Sequence, residues 1–310
     1  MKNQTKLMRV LVGCLLALFL FTGQGTALAE ENSFIGKTVT KVAVTGNRLI
    51  TDPDILAAVK LKAGQPLTAE AVRTDLQGIY ELGWFYDVGT DFADVPEGVQ
   101  VTYRVRENPV FKKLEVQGNT KVSTADIQTL LELKKEAMIN GKTLNERVRK
   151  LEERYHKDGY ILARVSDINL RPGGTLSQVI NEGIVEGFSV KGNEKTKDYV
   201  ILREMRLKKG EPFNVKEARR SLQRLYNLGF FEDVNVKLNP GKAPNGVEVE
   251  ITVVEQKTGT FGIGAGYSKD DGMVGIVSLG DKNFRGTGDK VNVRWEFGGA
   301  DARNYEFGYV

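Results

Sequence analysis

The sequence predicts an α+β chain: three tandem β-α-α-β-β units, followed by the first strands of a transmembrane antiparallel β-barrel. Three observations carry this. The phrase Val-x-Gly-Asn recurs at Val44–Asn47, Val116–Asn119 and Val190–Asn193, and its glycines, Gly46, Gly118 and Gly192, are 72 and 74 positions apart. A second phrase, Tyr-x-Leu-Gly-aromatic-aromatic-x-Asp-Val, runs from Tyr80 to Val88 and again from Tyr226 to Val234, each time with its glycine 37 positions after the first. Past Gln256 the helical periodicity stops and strict alternation takes over. Phrases in fixed order at a fixed period mark one module used repeatedly.

The chain opens with Lys2, Lys6 and Arg9, an apolar run from Val10 to Phe21, and small residues at Ala27-Leu28-Ala29, the layout of a secretory signal peptide over residues 1–29. Its removal leaves 41 of the 44 basic residues against 40 acidic ones, so the mature chain is near neutral and has no whole-chain attraction for nucleic acid. Cys14, the only cysteine, lies in that leader, which excludes disulfides and thiolate chemistry from the mature chain. A single histidine, His156, argues against a His-based metal site or charge relay. No catalytic constellation stands out; no enzyme activity, metal or cofactor is expected.

The units are placed at residues 38–108, 109–183 and 184–256, with barrel sequence over 257–310. Each begins with a short alternating strand ending at Gly-Asn, a turn signal. A first helix follows, announced by Thr51-Asp52-Pro53-Asp54 in unit one and Ser123-x-x-Asp126 in unit two. A second helix is capped by Thr143-x-x-Glu146 in unit two and Asn214-x-x-Glu217 in unit three. Its expected buried stripe is Val72, Leu76, Ile79 and Tyr80 in unit one, and Val215, Ala218, Leu222, Leu225 and Tyr226 in unit three. Gly83 and Gly229 sit where a helix closes in a left-handed conformation, and the aromatic pair after each drops into the core. The middle unit answers more loosely, with Tyr155 and Gly159 taken as the counterparts and one extra residue between them. Two strands close each unit; Val99–Val105 and Val247–Val253 alternate strictly, whereas Thr175–Asn181 alternates poorly.

In the last stretch Phe261, Ile263, Ala265 and Tyr267 share one face of a strand with Gly262, Gly264 and Gly266 on the other. Val291, Val293, Trp295 and Phe297 form a second such face, and Tyr305, Phe307 and Tyr309 a third. An aromatic face opposite glycine and mixed charge is the composition of a membrane β-barrel strand, although a half-buried soluble strand also alternates. About eight strands of about ten residues are the least such a barrel needs. The sequence past Gln256 holds about four, so a longer protein is expected.

The leader, the tandem units with Val-x-Gly-Asn and Leu-Gly-Phe-Phe-x-Asp-Val, and the stretch Asn283-Phe284-Arg285-Gly286-Thr287-Gly288 together resemble the outer-membrane β-barrel assembly factor family, BamA-like, whose units are POTRA domains. The resemblance covers nearly the whole mature chain. It implies a protein of the cell outer membrane with its POTRA domains in the periplasm. There it would receive unfolded outer-membrane proteins and assist their insertion, without a nucleotide. Three units stand where many relatives carry five, which leaves subtype and accessory partners open; the family's later barrel motif, Val-Arg-Gly-Phe, would lie past Val310. Periplasmic accessory proteins or lipoproteins and outer-membrane lipid are the implied partners. The alternatives are a translocation channel of the two-partner secretion or autotransporter-assembly type, and a periplasmic docking scaffold.

The resemblance also places functions on residues. Clients would add as extra strands to sheet edges at Phe85–Phe92, Ile161–Leu170 and Phe231–Leu238. In the third unit this edge is Phe231, Glu232, Asp233, Val234, Asn235, Val236, Lys237 and Leu238. A lateral seam would be the glycine-rich strand Phe261, Gly262, Ile263, Gly264, Ala265, Gly266 and Tyr267, which pairs weakly because every second residue lacks a side chain. Independently of the resemblance, the third unit gathers basic residues, and Arg219, Arg220 and Arg224 form a candidate docking face for anionic lipid or an acidic partner; solvated helix faces with salt pairs are the plainer reading.

Overall fold

The computed structural model describes residues 33–269, 272–298 and 302–310; the expected leader at 1–29 lies outside them. The chain divides into two compact units, one running to Asn108 and including Asn140–Lys142, the other made of Pro109–Ile139 and Thr143–Val310.

In the first, β1 (Val39–Thr45) is followed by α1 (Asp52–Leu56), α2 (Ala69–Glu81), β2 (Phe85–Val95) and β3 (Gly98–Glu107). The sheet order is β1-β3-β2, with β1 parallel and β2 antiparallel to β3. Thr51 caps α1 by accepting from the Asp54 N–H, and Pro53 sits in the first turn, where its missing N–H is no loss. Thr68 caps α2 in the same way through the Ala71 N–H. Ile55, Val72 and Ile79 of the helices join Val99, Val101, Tyr103 and Val105 of the central strand in one buried cluster. Within it the Asp75 carboxylate accepts from the Lys60 N–H at 2.7 Å, the Leu61 N–H at 3.1 Å and the Tyr103 hydroxyl at 2.6 Å. Burial, and then the Asp75 carboxylate, push the Tyr103 phenol well above its ordinary range.

The second compact unit begins with β4 (Lys113–Gln117), α3 (Thr124–Leu130), α4 (Gly141–Asp158), β5 (Arg164–Leu170) and β6 (Thr175–Asn181) in sheet order β4-β6-β5. Then come β7 (Ile184–Lys191), α5 (Asp198–Leu202), α6 (Val215–Asn227), β8 (Phe231–Pro240) and β9 (Gly246–Glu255) in order β7-β9-β8. Asn214 caps α6, its side-chain oxygen accepting from the Lys216 and Glu217 N–H groups.

The first phrase now has its cause. Gly46 lies at φ +93°, and a Cβ there would stand 2.2 Å from the Val105 carbonyl oxygen; at Gly118 the distance is 2.1 Å to Ile180, at Gly192 2.0 Å to Val253. Only glycine fits where the first strand leaves the sheet this close to the backbone of the third. The asparagine that follows clasps the turn: Asn47, Asn119 and Asn193 donate to the carbonyls of Ile50, Val122 and Thr196 at 2.8, 2.9 and 2.8 Å. Gly83 and Gly229, at φ +79° and +69°, end α2 and α6 as expected, and Phe85, Phe230 and Phe231 are buried.

Five readings are corrected. Thr143 does not precede α4, which starts at Gly141, so Thr143 lies inside its first turn. All three second helices start 23 positions after the Gly of Gly-Asn, but α4 runs 18 residues against 13 for α2 and α6, one added turn. Tyr155 belongs to that added turn; the true counterpart of Tyr80 and Tyr226, 34 positions past each glycine, is Glu152. Tyr80 and Tyr226 are not buried: they are 56% and 40% exposed. Finally, β5 begins at Arg164, because Ile161 and Leu162 form a turn. Thr175–Asn181 does alternate, with Leu176, Gln178 and Ile180 facing inward; the polar Gln178 disguised it.

Helices are absent from the described residues past Gln256. Strands β10 (Gly259–Ser268), β11 (Gly272–Phe284), β12 (Asp289–Gly298) and β13 (Ala302–Tyr309) form one antiparallel sheet in chain order. Register places Phe261, Leu279, Val293 and Phe307 in one row, and Ile263, Val277, Trp295 and Tyr305 in the next. Except for Val277 these side chains are largely exposed, and the Trp295 and Tyr305 rings stack at 6.1 Å. The other face carries Gly262, Ser278, Arg294 and Glu306 in register.

Candidate functional site: sheet edges and a docked turn

Strands β2, β5 and β8 are outermost in their sheets, as are β1, β4 and β7. On β8 the residues named as a client edge divide by face. Phe231 and Val234 are buried, Val236 and Leu238 are half-buried, and Glu232, Asp233, Asn235 and Lys237 are exposed. A bulge between Phe231 and Asp233 resets the alternation. An outer strand turns the N–H and C=O of every second residue away from its sheet. On β8 that set contains Val234, Val236 and Leu238.

Each Gly-Asn loop is held by a carboxylate that sequence reading passed over. Glu107 Oε1 accepts from the N–H groups of Arg48, Leu49 and Ile50 at 2.8, 2.8 and 2.9 Å. Glu182 accepts from those of Thr120 and Lys121 at 2.9 and 3.0 Å, and from the Tyr155 hydroxyl at 2.9 Å. Glu255 accepts from those of Lys195 and Thr196 at 2.8 and 2.6 Å. Burial works against the charge at Glu107 and Glu255. The donors outweigh it and hold both carboxyls below the usual range. A signal was present: Val105-x-Glu107, Ile180-x-Glu182 and Val253-x-Glu255 close the three repeats.

The stretch Asn283–Gly288 is a turn seated on the third of these loops. Lys195 Nζ reaches Asp281 and Thr258, both at 2.9 Å, and Thr258 donates to Asp281 at 2.6 Å. Asn283, 1% exposed, donates to Thr196 Oγ1 at 2.8 Å and accepts from the Gly288 N–H at 2.9 Å. The Lys197 N–H donates to the Gly286 carbonyl at 2.9 Å. Gly286 has φ +77°, and a Cβ on it would lie 1.8 Å from the Lys195 carbonyl oxygen. The motif is therefore the contact that joins the third repeat to the strands after it.

The seam residues lie on β10, an outer strand of the four-stranded sheet. Its glycines face the row of Ser278, Ile276 and Val274, and a Cβ would be crowded only at Gly262, 2.6 Å from Ser278 Oγ. On α6 the basic face is partly neutralised: Arg220 pairs with Glu217 at 2.5 Å and Arg224 with Glu204 at 2.8 Å, while Arg219 is exposed with no ion pair among the described residues. No helix among the described residues is long and apolar enough to cross a membrane. Nor does any cluster of His, Cys, Asp or Glu among them suit a metal.

Comparison with known proteins agrees with this architecture. The family model "POTRA: Surface antigen variable number repeat" matches residues 37–108, 109–183 and 184–256. Outer envelope protein 80 of Arabidopsis thaliana is 26% identical over 88% of this chain and 40% of its own length. A putative outer membrane protein assembly factor of Treponema pallidum is 30% identical over 68% of this chain and 27% of its own. The chain thus spans less than half the length of these curated relatives. Among solved structures, POTRA1-3 of Omp85 from Anabaena has a TM-score of 0.64 at 30% identity, covering 71% of this chain and 96% of that one. The N-terminal domain of Omp85 from Thermosynechococcus elongatus scores 0.64 at 28% identity, over 71% and 98%. With more than half its length matched as three POTRA repeats, this chain belongs to the POTRA family of BamA-like, Omp85-type proteins.

Proposed function

We propose that this protein is an outer-membrane protein assembly factor that takes unfolded outer-membrane polypeptides onto its sheet edges as added strands and assists their folding into the bilayer. It resides in the outer membrane with its POTRA units in the periplasm. The observation that carries the reading is the outermost position of β8, with the backbone groups of Val236 and Leu238 turned away from β9 in the alternation that leaves the Val234 N–H off the sheet. Main-chain pairing accepts any client sequence, which suits a factor that serves many. Strands β10–β13 supply the barrel portion, their exposed aromatic rows covered by lipid and their other face turned to a polar lumen. The outer strand β10 is the seam at which a client strand would pair, and Arg219, with Arg220 and Arg224, offers a contact for anionic lipid.

Val236→Pro in the full-length protein tests this. Proline at an outward position removes one donor from the edge while leaving the bonds to β9 in place. Client crosslinking to β8 should fall, and outer-membrane proteins should decline as a group. Loss of one secreted substrate alone would instead indicate a dedicated channel, and unchanged crosslinking would end the edge reading.

A further inference from the structure

The exposed position of Tyr226 is unexplained by packing, and its hydroxyl has a specific place. It accepts from the Val234 N–H at 3.1 Å and donates to the Asp233 carboxylate at 2.8 Å, with the Val234 carbonyl 3.4 Å away. Val234 is the first outward-facing residue of β8 after its bulge, and its register partner is Val253. The phenol therefore occupies the spot where an added strand would offer its first acceptor.

The second repeat does the same with different chemistry. Glu152 stands at the helix position of Tyr226, and its Oε1 accepts from the Val165 N–H at 2.8 Å. Val165 pairs with Ile180, and Ile180 and Val253 are the residues whose carbonyls crowd Gly118 and Gly192, so the two edge positions are equivalent. In the first repeat the equivalent edge residue is Val88, opposite Val105. There the hydroxyl of Tyr80, a residue 56% exposed, makes no hydrogen bond among the described residues.

We infer that Tyr226 and Glu152 are register stops: helix side chains that occupy the first outward backbone donor of β8 and β5, so that a client strand pairs only from Val236 and from Ile168 onward. The inference rests on strand addition as the mode of client binding and specifies where it starts. On β2 no side chain among the described residues blocks Val88, so the first repeat offers a longer edge. An unfolded polypeptide would meet one full-length edge and two shortened ones, which favours capture at the first repeat and looser holding at the others. Clients that displace the phenol gain one further pair of hydrogen bonds, so the stop also penalises short or poorly aligned strands.

The test uses the full-length protein and a synthetic peptide copying β12 (Asp289–Gly298), an alternating outer-membrane-type strand, with one cysteine introduced. Partner cysteines are placed in turn at Glu232, Asn235 and Lys237, with every native cysteine of the full-length protein replaced by serine. In the otherwise native protein disulfides are expected at Asn235 and Lys237 and not at Glu232. Tyr226→Phe keeps the ring and removes the hydroxyl; it should extend capture to Glu232 and tighten peptide binding by about two- to tenfold, the worth of one hydrogen bond. Glu152→Ala should extend capture on β5 to Val165, whereas Glu152→Gln, which keeps an acceptor, should not. Hydrogen exchange at Val234 reports independently: protected in the native protein, fast in Tyr226→Phe with the rest of β8 unchanged. Capture at Asn235 and Lys237 with a register and affinity indifferent to Tyr226→Phe overturns the stop while leaving strand addition standing. No capture on β8 in either protein overturns both.

Discussion

The loop after Gly46 and the loop after Gly192 are one device put to two uses. Each is clasped by an asparagine, Asn47 or Asn193, and by a glutamate closing its sheet, Glu107 or Glu255. They part at four positions, where Arg48-Leu49-Ile50-Thr51 in the first repeat face Glu194-Lys195-Thr196-Lys197 in the third. Leu49 is 63% exposed, whereas Thr196 is 2% exposed beneath Asn283 and Lys195 holds Asp281. The shared residues satisfy the backbone and set the turn's shape. The differing ones decide whether the turn ends at solvent or receives another segment.

The strongest way to break this contrast is Gly286→Ala. It places a Cβ against the Lys195 carbonyl at a positive φ, and about 3 kcal/mol should be lost from the joint. Exchange at the Lys197 N–H should accelerate while the Leu49 and Ile50 amides stay protected. If both loops loosen, the joint is not a local device and the contrast fails. A smaller step is Lys195→Leu, which gives the third loop the first loop's residue. Asp281, its side chain 25% exposed, keeps Thr258 but loses its cation, at a cost of about 1.5 kcal/mol. Amide protection at Asn283 is the readout.

The same division explains what the sequence disclosed. Val-x-Gly-Asn and the Leu-Gly-aromatic phrase were legible because each glycine answers a backbone demand, a close approach at Gly46, Gly118 and Gly192 and a left-handed helix end at Gly83 and Gly229, that glycine meets at least cost, so the letter itself repeats. Glu107, Glu182 and Glu255 were missed because their partners are backbone N–H groups about sixty positions away, and nothing in those loop residues' identities records the contact. The added turn of α4 was misread for a related reason: Tyr155 matched the letter of Tyr80 and Tyr226, while the position belonged to Glu152, and tyrosine and glutamate share only an acceptor oxygen. The edges were placed by resemblance, and periodicity alone said nothing about which strand lies outermost. Nor could it separate Tyr226 as a core residue from Tyr226 as an edge contact, since both fit one helical stripe.

Positions that the backbone leaves free show the opposite behaviour, and Gln178 sharpens the point. By register it corresponds to Tyr103 in the first repeat and Ile251 in the third. Tyr103 has Asp75 as its acceptor, and Ile251 needs none. The Gln178 side chain is 1% exposed, and both its polar atoms lack a hydrogen-bond partner among the described residues. Replacing an unsatisfied buried amide by the third repeat's own residue, Gln178→Ile, should stabilise the second repeat by about 1 kcal/mol. Slower exchange across β4 and β6, with the third repeat unchanged, would confirm it; destabilisation would mean that the amide has a partner in solution, such as a buried water.

The smallest effect separates the two loops by pH. Glu107 has a carboxyl held below the usual carboxylate range because, against the cost of burial, three backbone donors favour the charged form. A depressed folded-state pKa contributes stability that is fully present above the unfolded value and is lost as pH falls through the folded one. Glu255 is shifted in the same direction, so both clasps weaken on acidification below about pH 4.5. The third loop, however, keeps Asn283 on Thr196 and the Gly286 carbonyl on the Lys197 N–H, neither of which titrates. Acid should therefore free the Leu49 and Ile50 amides before those of Thr196 and Lys197. Glu107→Gln, which retains an acceptor without the charge, should cost about 0.5 kcal/mol near neutral pH and flatten the acid response of the first loop alone. Residue-resolved exchange between pH 6 and pH 3, roughly spanning the carboxylate range, measures it. Simultaneous release of both loops would show that the carboxylate clasp, rather than the docked turn, governs the third.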